Sequence, residues 1–128
     1  DIDHFKRAND TYGHLQGDDI LRKVSLILKS NIRTYDILGR YGGEEFMVIM
    51  PEASLEDGMC LAERIRTAIE QYEFDGVLES IKGPIGCTIS IGVASYPAPN
   101  IKKMEDLINK ADNLLYRAKV EGRNRVCA

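Results

Sequence analysis

The fold is decided by one stretch of the sequence, residues 37–50, which reads ILGRYGGEEFMVIM. Two short apolar runs, Ile37-Leu38 and Phe46 to Met50, lie on either side of a segment with two glycines and two glutamates. Glycines between two strand-like runs are typical of a β-hairpin. The stretch therefore predicts a hairpin whose tip carries Gly42, Gly43, Glu44 and Glu45.

Amphipathic segments precede and follow this hairpin. Apolar residues recur there at helical spacing, with charged residues on the other faces. Ser54 and Asp57 have the spacing of a helix start. The predicted inward-facing stripes are Ile20, Leu21, Val24, Ile27 and Leu28; Leu55, Met59, Ala62, Ile65 and Ile69; and Met104, Leu107, Ile108, Ala111, Leu115 and Ala118.

Two further segments have strand character. Cys87, Ile89, Ile91 and Val93 alternate with small residues, which favours a buried strand. Asp1-Ile2-Asp3 resembles the end of a strand whose earlier residues are absent. Helices and strands in this order predict an α/β (α+β) fold, with a central mixed or antiparallel sheet flanked by helices. The end of the first strand and the hairpin tip are expected to lie side by side.

Length and composition limit the class of protein. The 128 residues suit one domain, expected over 1–128. A net charge of −3 argues against a nucleic-acid partner held by bulk electrostatics. The sequence contains neither an apolar run of about 18 residues nor a signal peptide, which predicts no membrane contact by this domain and a cytoplasmic location, although a longer parent protein could be membrane-tethered. The three cysteines lack metal-ligand spacing and are expected to be free thiols.

Carboxylates at strand ends and turns are the first chemical signal. Asp1, Asp3, Glu44 and Glu45 have this placement, and Mg²⁺ prefers oxygen ligands, usually one or two carboxylates with substrate phosphates. Glycines ahead of the two glutamates let a nucleotide approach the backbone. The alternative, that Glu44 and Glu45 are solvated turn residues, stays open on charge pattern alone.

The hairpin resembles a known signature. Arg40-Tyr41 followed by Gly42 to Phe46 is similar to the motif of the diguanylate cyclase (GGDEF) family, in its GGEEF form. Further family segments follow in the right order: Asp1 to Lys6, Asn9-Asp10, Gly13-His14, Gly17-Asp18, Thr88 to Gly92, Ala111-Asp112, Tyr116, and Lys119 with Gly122 to Asn124. The resemblance implies a palm-like domain that holds one GTP, with two subunits meeting to make cyclic di-GMP and pyrophosphate.

The resemblance also implies a metal site that takes Mg²⁺ or Mn²⁺. The Asp1 side chain, the Ile2 carbonyl and Glu44 are the implied ligands. Glu44 is also the favoured group to help deprotonate the attacking 3′-hydroxyl, and Glu45 is close enough to serve a second cation. Because positioning and charge neutralisation dominate phosphoryl transfer, these roles suit carboxylates and a cation.

The triphosphate of GTP would be bound by two further groups of residues. Backbone N–H groups from His4 through Phe5 to Lys6 open a helix, and Lys6 adds charge. Lys119 and Arg123 resemble the family's triphosphate clamp. The alternatives are a solvated helix lysine for Lys6 and simple helix-dipole complementarity for the two C-terminal cations.

Asn9, His14 and Asp18 would bind the base and sugar. Guanine presents N1–H and N2–H₂ side by side, so one carboxylate can accept from both, whereas adenine lacks this pair of donors. The alternatives are an N-cap role for Asp18 and a backbone contact for His14.

A separate R-x-x-D motif, Arg33 and Asp36, has five residues between Asp36 and Gly42 and matches the family's product-inhibition motif. Arg64 matches an arginine that often completes that site. Arginine suits guanine O6 and N7, and aspartate suits the donor edge. A structural i,i+3 salt bridge is the alternative.

Two expectations qualify the activity. A non-catalytic module that binds cyclic di-GMP or GTP is the main rival, but degenerate members usually lose the hairpin acids or the metal aspartate, which this chain retains. The family domain normally begins some tens of residues earlier, so the chain is expected to be N-terminally incomplete, with its first strand largely missing.

Overall fold

A computed structural model describes residues 1–78 and 80–128. Within these residues the regular elements are four helices and four short strands. In chain order they are α1 (Phe5–Tyr12), α2 (His14–Asn31), β1 (Ile37–Arg40), β2 (Phe46–Ile49), α3 (Leu55–Glu70), β3 (Ile91–Gly92), α4 (Met104–Val120) and β4 (Val126–Cys127).

The predicted hairpin is confirmed. β1 and β2 pair antiparallel, with Ile37 opposite Ile49 at one end and Arg40 opposite Phe46 at the other. Residues 41–45 form the tip, where the main-chain N–H of Tyr41 donates to the Glu45 carbonyl at 2.8 Å. This register brings both glycines and both glutamates to the same end of the hairpin.

The single central sheet expected from the sequence is replaced by smaller pieces. β1 and β2 form one two-stranded sheet, and β3 and β4 form a second, parallel one. The strand expected over Cys87–Val93 reduces to β3 and one bridge, in which Ile89 pairs with Ile2. The paired segments are short because a ladder of hydrogen bonds requires the neighbouring chain to stay extended over several residues.

Residues 1–3 lie between the hairpin tip and residues 88–90. On one side the Ile2 N–H donates to the Glu44 carbonyl at 3.3 Å. On the other side the Asp3 N–H donates to the Thr88 carbonyl at 2.9 Å, and the Ser90 N–H donates to the Asp1 carbonyl at 3.0 Å. The first segment and the hairpin tip are therefore neighbours, as the sequence indicated.

The helix boundaries differ from the sequence interpretation at one junction. α1 ends at Tyr12, and Gly13 adopts φ 85° before α2 begins at His14. The sequence predicts a short turn bracketed by Gly13 and Gly17, but Gly17 lies inside α2 and does not close that turn. Glycine populates positive φ without steric penalty, which explains why the chain turns at Gly13 alone.

One main core and one smaller cluster hold these elements together. Buried apolar side chains of α2 and α3 pack with Phe5 and with residues of the 85–89 segment. The Ser54–Asp57 capping box predicted at the start of α3 is present. In α4 the inward face is defined by Leu114 and Ala118, which pack on Cys127. Of these two only Ala118 belongs to the predicted stripe, and Met104, which was also predicted to face inward, is 69% exposed.

The three cysteines are free, as expected, with Cys60 exposed and the other two buried. Burial raises the pKa of the Cys87 thiol to about 12, so it stays protonated at neutral pH. Among the described helices, none combines the length and the apolar character needed to cross a membrane.

Candidate active site

Asp1, Ile2 and Glu44 meet where the first segment touches the hairpin tip. The Asp1 side chain is 7% exposed, and the Lys119 ammonium lies 2.9 Å from its Oδ2. The main-chain hydrogen bond from Ile2 to Glu44 holds the glutamate-bearing hairpin tip against the first segment at this corner. The three residues implied as metal ligands and one implied phosphate ligand therefore share one location.

The donor set of this corner suits Mg²⁺ bound together with substrate phosphates. The described residues contain no cluster of three or more histidine, cysteine or acidic side chains able to hold a metal by themselves. Magnesium sites in nucleotide enzymes use one or two carboxylates and take further ligands from phosphates and water. The Asp1 carboxylate can hold a cation, since the Lys119 ammonium lies against it, and a metal ion would take the place of this ammonium at Oδ2.

The hairpin tip is held by Arg40, a residue that the sequence identified only as part of the motif. Its guanidinium donates to the carbonyls of Gly42 and Gly43, at 3.2 Å and 2.6 Å for the shortest contact to each. A Cβ added at Gly42 would lie 2.5 Å from the Glu45 carboxylate, whereas one added at Gly43 would meet nothing within 4 Å. A Cβ at Gly42 would thus require only the end of the Glu45 side chain to shift, and the space in front of Gly43 is open.

The first turn of α1 offers main-chain donors. His4 precedes the helix with φ 57°, and the Ala8 N–H donates to its carbonyl, so the N–H groups from His4 to Lys6 precede the helical ladder. Lys6 is exposed on this turn. The Phe5 side chain is buried in the core, so Phe5 can contribute only its main-chain N–H to a ligand.

Asn9 and Asp18 are brought together by a close contact between α1 and α2. A Cβ added at Gly17 would collide with Asn9 Oδ1, which shows that the Asn9 side chain packs directly on Gly17. Asp18 follows within α2, and the N-cap of that helix is Gly13. The N-cap alternative for Asp18 is therefore wrong. His14 is exposed at the first position of α2.

Asp18 also borders a pocket of about 440 Å³ between α2 and the hairpin. Its lining combines one carboxylate with apolar and basic side chains. The lining residues are Asp18, Leu21, Arg22, Ser25, Leu38, Gly39, Arg40 and Phe46. Asn9 and His14 do not line this pocket, so of the three residues expected at the base only Asp18 faces it.

Lys119 and Arg123 occupy different environments. Lys119 belongs to the last turn of α4 and pairs with Asp1. Arg123 lies beyond the helix with φ 63°, and its N–H donates to the Ala118 carbonyl at 2.9 Å. The helix-dipole alternative applies to Lys119 alone, because Arg123 is outside the helix.

The R-x-x-D residues surround a separate cavity. Arg33, Asp36 and Arg64 line a space of about 110 Å³ together with Met50, Asp57, Cys60 and Leu61. Across residues 1–78 and 80–128 no side-chain ion pair joins Arg33 to Asp36; the Arg33 main-chain N–H donates to Asp36 Oδ2 at 2.8 Å, while the Arg33 guanidinium donates to the Tyr35 hydroxyl. The salt-bridge alternative is therefore not what the structure contains. Asp36 is 5% exposed, and its Oδ1 has no hydrogen-bond partner in the described part of the chain.

Comparison with known protein families shows which family the chain belongs to. The family "Diguanylate cyclase, GGDEF domain" matches residues 1–125. The chain therefore belongs to the GGDEF diguanylate cyclase domain family.

Known relatives and solved structures agree with this membership. The chain is 44% identical over 128 residues to "Diguanylate cyclase A" of Treponema denticola, covering 98% of this chain and 33% of that protein. The active GGEEF domain of a diguanylate cyclase from Vibrio cholerae has a TM-score of 0.88 at 34% identity, over 99% of this chain and 77% of that one. The GGDEF domain of DgcB from Caulobacter crescentus, in complex with c-di-GMP, has a TM-score of 0.89 at 34% identity, over 100% and 73%. The chain spans about a third of the length of curated relatives such as this Treponema denticola protein.

The open space at Gly43 leads to a prediction about nucleotide approach. Gly43→Ala should change the free energy of unfolding by less than about 0.5 kcal/mol, because the added methyl meets no protein atom. It should weaken binding of a non-hydrolysable GTP analogue by at least about tenfold, because the methyl stands where the nucleotide must approach. Thermal melting and calorimetric titration measure the two effects.

Gly17→Ala is the matched control for Gly43→Ala. There the methyl would collide with Asn9, so both melting temperature and analogue binding should fall. Analogue affinity equal to wild type in Gly43→Ala would show that this space is not used by the nucleotide.

Proposed function

We propose that this chain is a diguanylate cyclase catalytic domain, which converts two GTP molecules to cyclic di-GMP and two pyrophosphates. The observation that carries the proposal is the hydrogen bond from the Ile2 N–H to the Glu44 carbonyl. It holds the Asp1 carboxylate and the glutamates of the hairpin in one corner. Membership of the diguanylate cyclase family supports the assignment of substrate and product.

In the proposed reaction each 3′-hydroxyl attacks the α-phosphorus of the other GTP. The new bond joins O3′ to that phosphorus, the bond to the β-phosphate oxygen breaks, and pyrophosphate leaves. Glu44 accepts the proton of the attacking hydroxyl.

Asp1, the Ile2 carbonyl and Glu44 would hold Mg²⁺ or Mn²⁺, with Glu45 available to a second ion. When bound, the cation supplies charge neutralisation at the phosphates and lowers the pKa of the hydroxyl.

The triphosphate is assigned to the first turn of α1 and to the end of α4. Main-chain N–H groups from His4 to Lys6 suit phosphate oxygens, and the Lys6 ammonium adds charge. Lys119 contacts Asp1, and Arg123 is assigned to the same clamp. In this role the Lys119 ammonium would exchange its contact with Asp1 for one with phosphate oxygens.

The guanine base is assigned to Asp18 with Asn9, and His14 to the sugar end. The packing of Asn9 on Gly17 and the position of Asp18 at the pocket between α2 and the hairpin support this assignment. Apolar side chains such as Leu21 and Leu38 suit the faces of a planar base, and the carboxylate suits its two adjacent donors.

Two subunits are required by the geometry of the reaction. One domain binds one GTP, and each hydroxyl must reach the α-phosphate of the molecule on the other subunit. A homodimer that aligns two such sites closes both phosphodiester bonds. We therefore assign a homodimer as the active form.

Product inhibition is assigned to the cavity lined by Arg33, Asp36 and Arg64. Two guanidinium groups and a buried carboxylate oxygen without a donor suit the edge of a guanine in cyclic di-GMP. A product bound there would favour an unproductive arrangement of two domains, which makes the inhibition allosteric. This site is separated from the hairpin tip by β1.

A non-catalytic module that binds GTP or cyclic di-GMP is the alternative function. It would share the pocket and the cavity but would not need the acids at the hairpin tip. Asp1, Glu44 and Glu45 are all present and lie at one corner, which favours catalysis.

Glu44→Gln tests the catalytic assignment. The change keeps the shape of the side chain but removes its charge and its basicity, so turnover of GTP with Mg²⁺ should fall by about 100-fold or more while the melting temperature is preserved. Chromatographic identification of cyclic di-GMP and pyrophosphate gives the rates. Glu73→Gln, an exposed glutamate outside the site, is the control and should keep wild-type turnover.

The same assay over a dilution series tests the two-subunit requirement. Specific activity should rise with protein concentration through the range where ultracentrifugation shows dimer formation. Near-normal turnover in Glu44→Gln would contradict the catalytic role of that residue, and a flat concentration dependence would contradict the homodimer.

Asp18→Ser tests guanine selectivity. A lost hydrogen bond to a charged group is worth about 1.5–3 kcal/mol, so GTP should bind at least about tenfold more weakly while ATP is rejected less strongly. The kcat/KM ratio for GTP and ATP measures the change. Asp10→Ser, an exposed position on α1, should leave this ratio unaltered. A wild-type ratio in Asp18→Ser would remove Asp18 from base recognition.

Arg33→Ala tests product inhibition. Because a charge-assisted contact to guanine is lost, affinity for cyclic di-GMP should fall at least about tenfold, and noncompetitive inhibition by added product should disappear. The initial rate with GTP should remain close to wild type. Calorimetry and rate measurements with added product give both values, with Lys29→Ala on the exposed end of α2 as control. Unchanged product affinity would show that the cavity has another purpose.

A further inference from the structure

Asn124 lies where the loop after α4 meets the start of the chain. Its main-chain N–H donates to Asp3 Oδ2 at 3.1 Å. The same carboxylate accepts hydrogen bonds from the hydroxyls of Thr88, at 2.8 Å, and Ser90, at 2.7 Å. Asp3 is buried, and a buried carboxylate is stable only when its oxygens are paired in this way. The loop is therefore tied to the segment that carries the implied metal ligands.

The Asn124 side chain ties the same loop to α3. Its Nδ2 donates to Glu70 Oε1 at 2.6 Å, and its Oδ1 accepts from Arg66 Nη1 at 2.9 Å. Arg66 also donates to Glu70 Oε2 at 2.8 Å, which closes a three-residue ring of hydrogen bonds. The hydrogen bonds from Arg66, and then from Asn124, lower the pKa of Glu70, so this carboxylate is ionised at neutral pH.

These contacts fix the backbone on either side of Arg123. Gly122, Arg123 and Asn124 adopt positive φ in succession, at 116°, 63° and 46°. Asparagine tolerates this region because of its short polar side chain, but arginine does not favour it. The conformation at Arg123 is imposed by its own hydrogen bond to the Ala118 carbonyl and by the anchoring of Asn124 to Asp3 and α3.

We propose that Asn124 is a positioning residue, which sets Arg123 against the triphosphate of GTP by locking the loop to Asp3 on one side and to Arg66 and Glu70 on the other. This inference rests on the proposed function. It assigns a role to Asn124, Arg66 and Glu70, which the sequence did not single out as functional. None of the three needs to touch the nucleotide.

The chemistry of the ring determines which substitutions test it. Asn124→Asp keeps size and tolerance of positive φ, but puts a carboxylate oxygen where an amide donor faces Glu70. Glu70→Gln alone keeps one acceptor oxygen but turns its amide donor towards either Asn124 or Arg66, both of which are donors, so it should weaken the ring by itself. Combining Asn124→Asp with Glu70→Gln restores a donor–acceptor pair, since the glutamine amide donates to the new carboxylate, and should therefore rescue the loop.

The readout is calorimetric affinity for a non-hydrolysable GTP analogue and for GMP, in Mg²⁺ buffer. Arg123→Ala should weaken binding of the analogue at least about tenfold and leave the affinity for GMP unchanged, because Arg123 is assigned to the terminal phosphates. Asn124→Asp should weaken binding of the analogue by roughly threefold to tenfold, because only part of the Arg123 contact is lost. The affinity for GMP should again be unchanged. In the Arg123→Ala background Asn124→Asp should add no further loss, because the two changes act on one interaction.

The possible results separate the positioning role from simpler ones. Equal weakening of analogue and GMP in Asn124→Asp would mean general damage to the fold and would overturn the proposal. Fully additive losses with Arg123→Ala, or no rescue by Glu70→Gln, would overturn it as well. If the wild-type protein binds the analogue with the expected pattern but forms no cyclic di-GMP, the catalytic proposal fails while the positioning role stands. If the wild-type protein does not bind the analogue, both fail.

Discussion

The buried carboxylate of Asp3 joins three segments that are distant in the sequence. It accepts from Thr88 and Ser90 on one side and from the Asn124 main chain on the other. Removing a partner from a buried carboxylate costs several kcal/mol, because the charge is left without compensation in a medium of low polarity. Asp1 and Ile2 are therefore held in place by their neighbour Asp3, and the distance between the proposed metal site and the proposed triphosphate clamp depends on this one side chain.

A second constraint acts at the other end of the site, on α2. Gly17 allows α1 to approach closely enough for the Asn9 side chain to lie on the α2 backbone. Gln16, fully buried, donates to the Asp75 carbonyl at 3.1 Å and accepts from the Val77 N–H at 2.8 Å. Since buried polar groups are satisfied in folded proteins, this glutamine fixes α2 against the loop after α3. Asp18 gains its position from these contacts with residues before and after it.

The hairpin connects the two candidate binding regions. The turn made by Arg33 and Asp36 leads directly into β1, and β1 ends at Arg40, whose guanidinium holds the carbonyls of the glycine pair. Four residues in paired antiparallel geometry form a stiff link, because each register position is fixed by the partner strand. A ligand that altered the Arg33 turn would therefore act on the hairpin as a unit, which gives the proposed feedback a physical route that does not require unfolding of either region.

The sequence by itself determined the hairpin, the existence of the helices, the capping of α3 and the family, because these depend on residues close together in the chain: glycine placement, apolar periodicity and short motifs. It could not distinguish Asp3 from the other carboxylates at strand ends or place Asp18 inside a helix. It also could not show that Arg33 and Asp36 meet through a main-chain contact and not through the alternative salt bridge. Nor could it identify Asn124, Arg66 and Glu70 as one ring. Only the tertiary structure decided these points, because the burial of a polar group and the identity of its partner depend on segments that meet only in the folded chain.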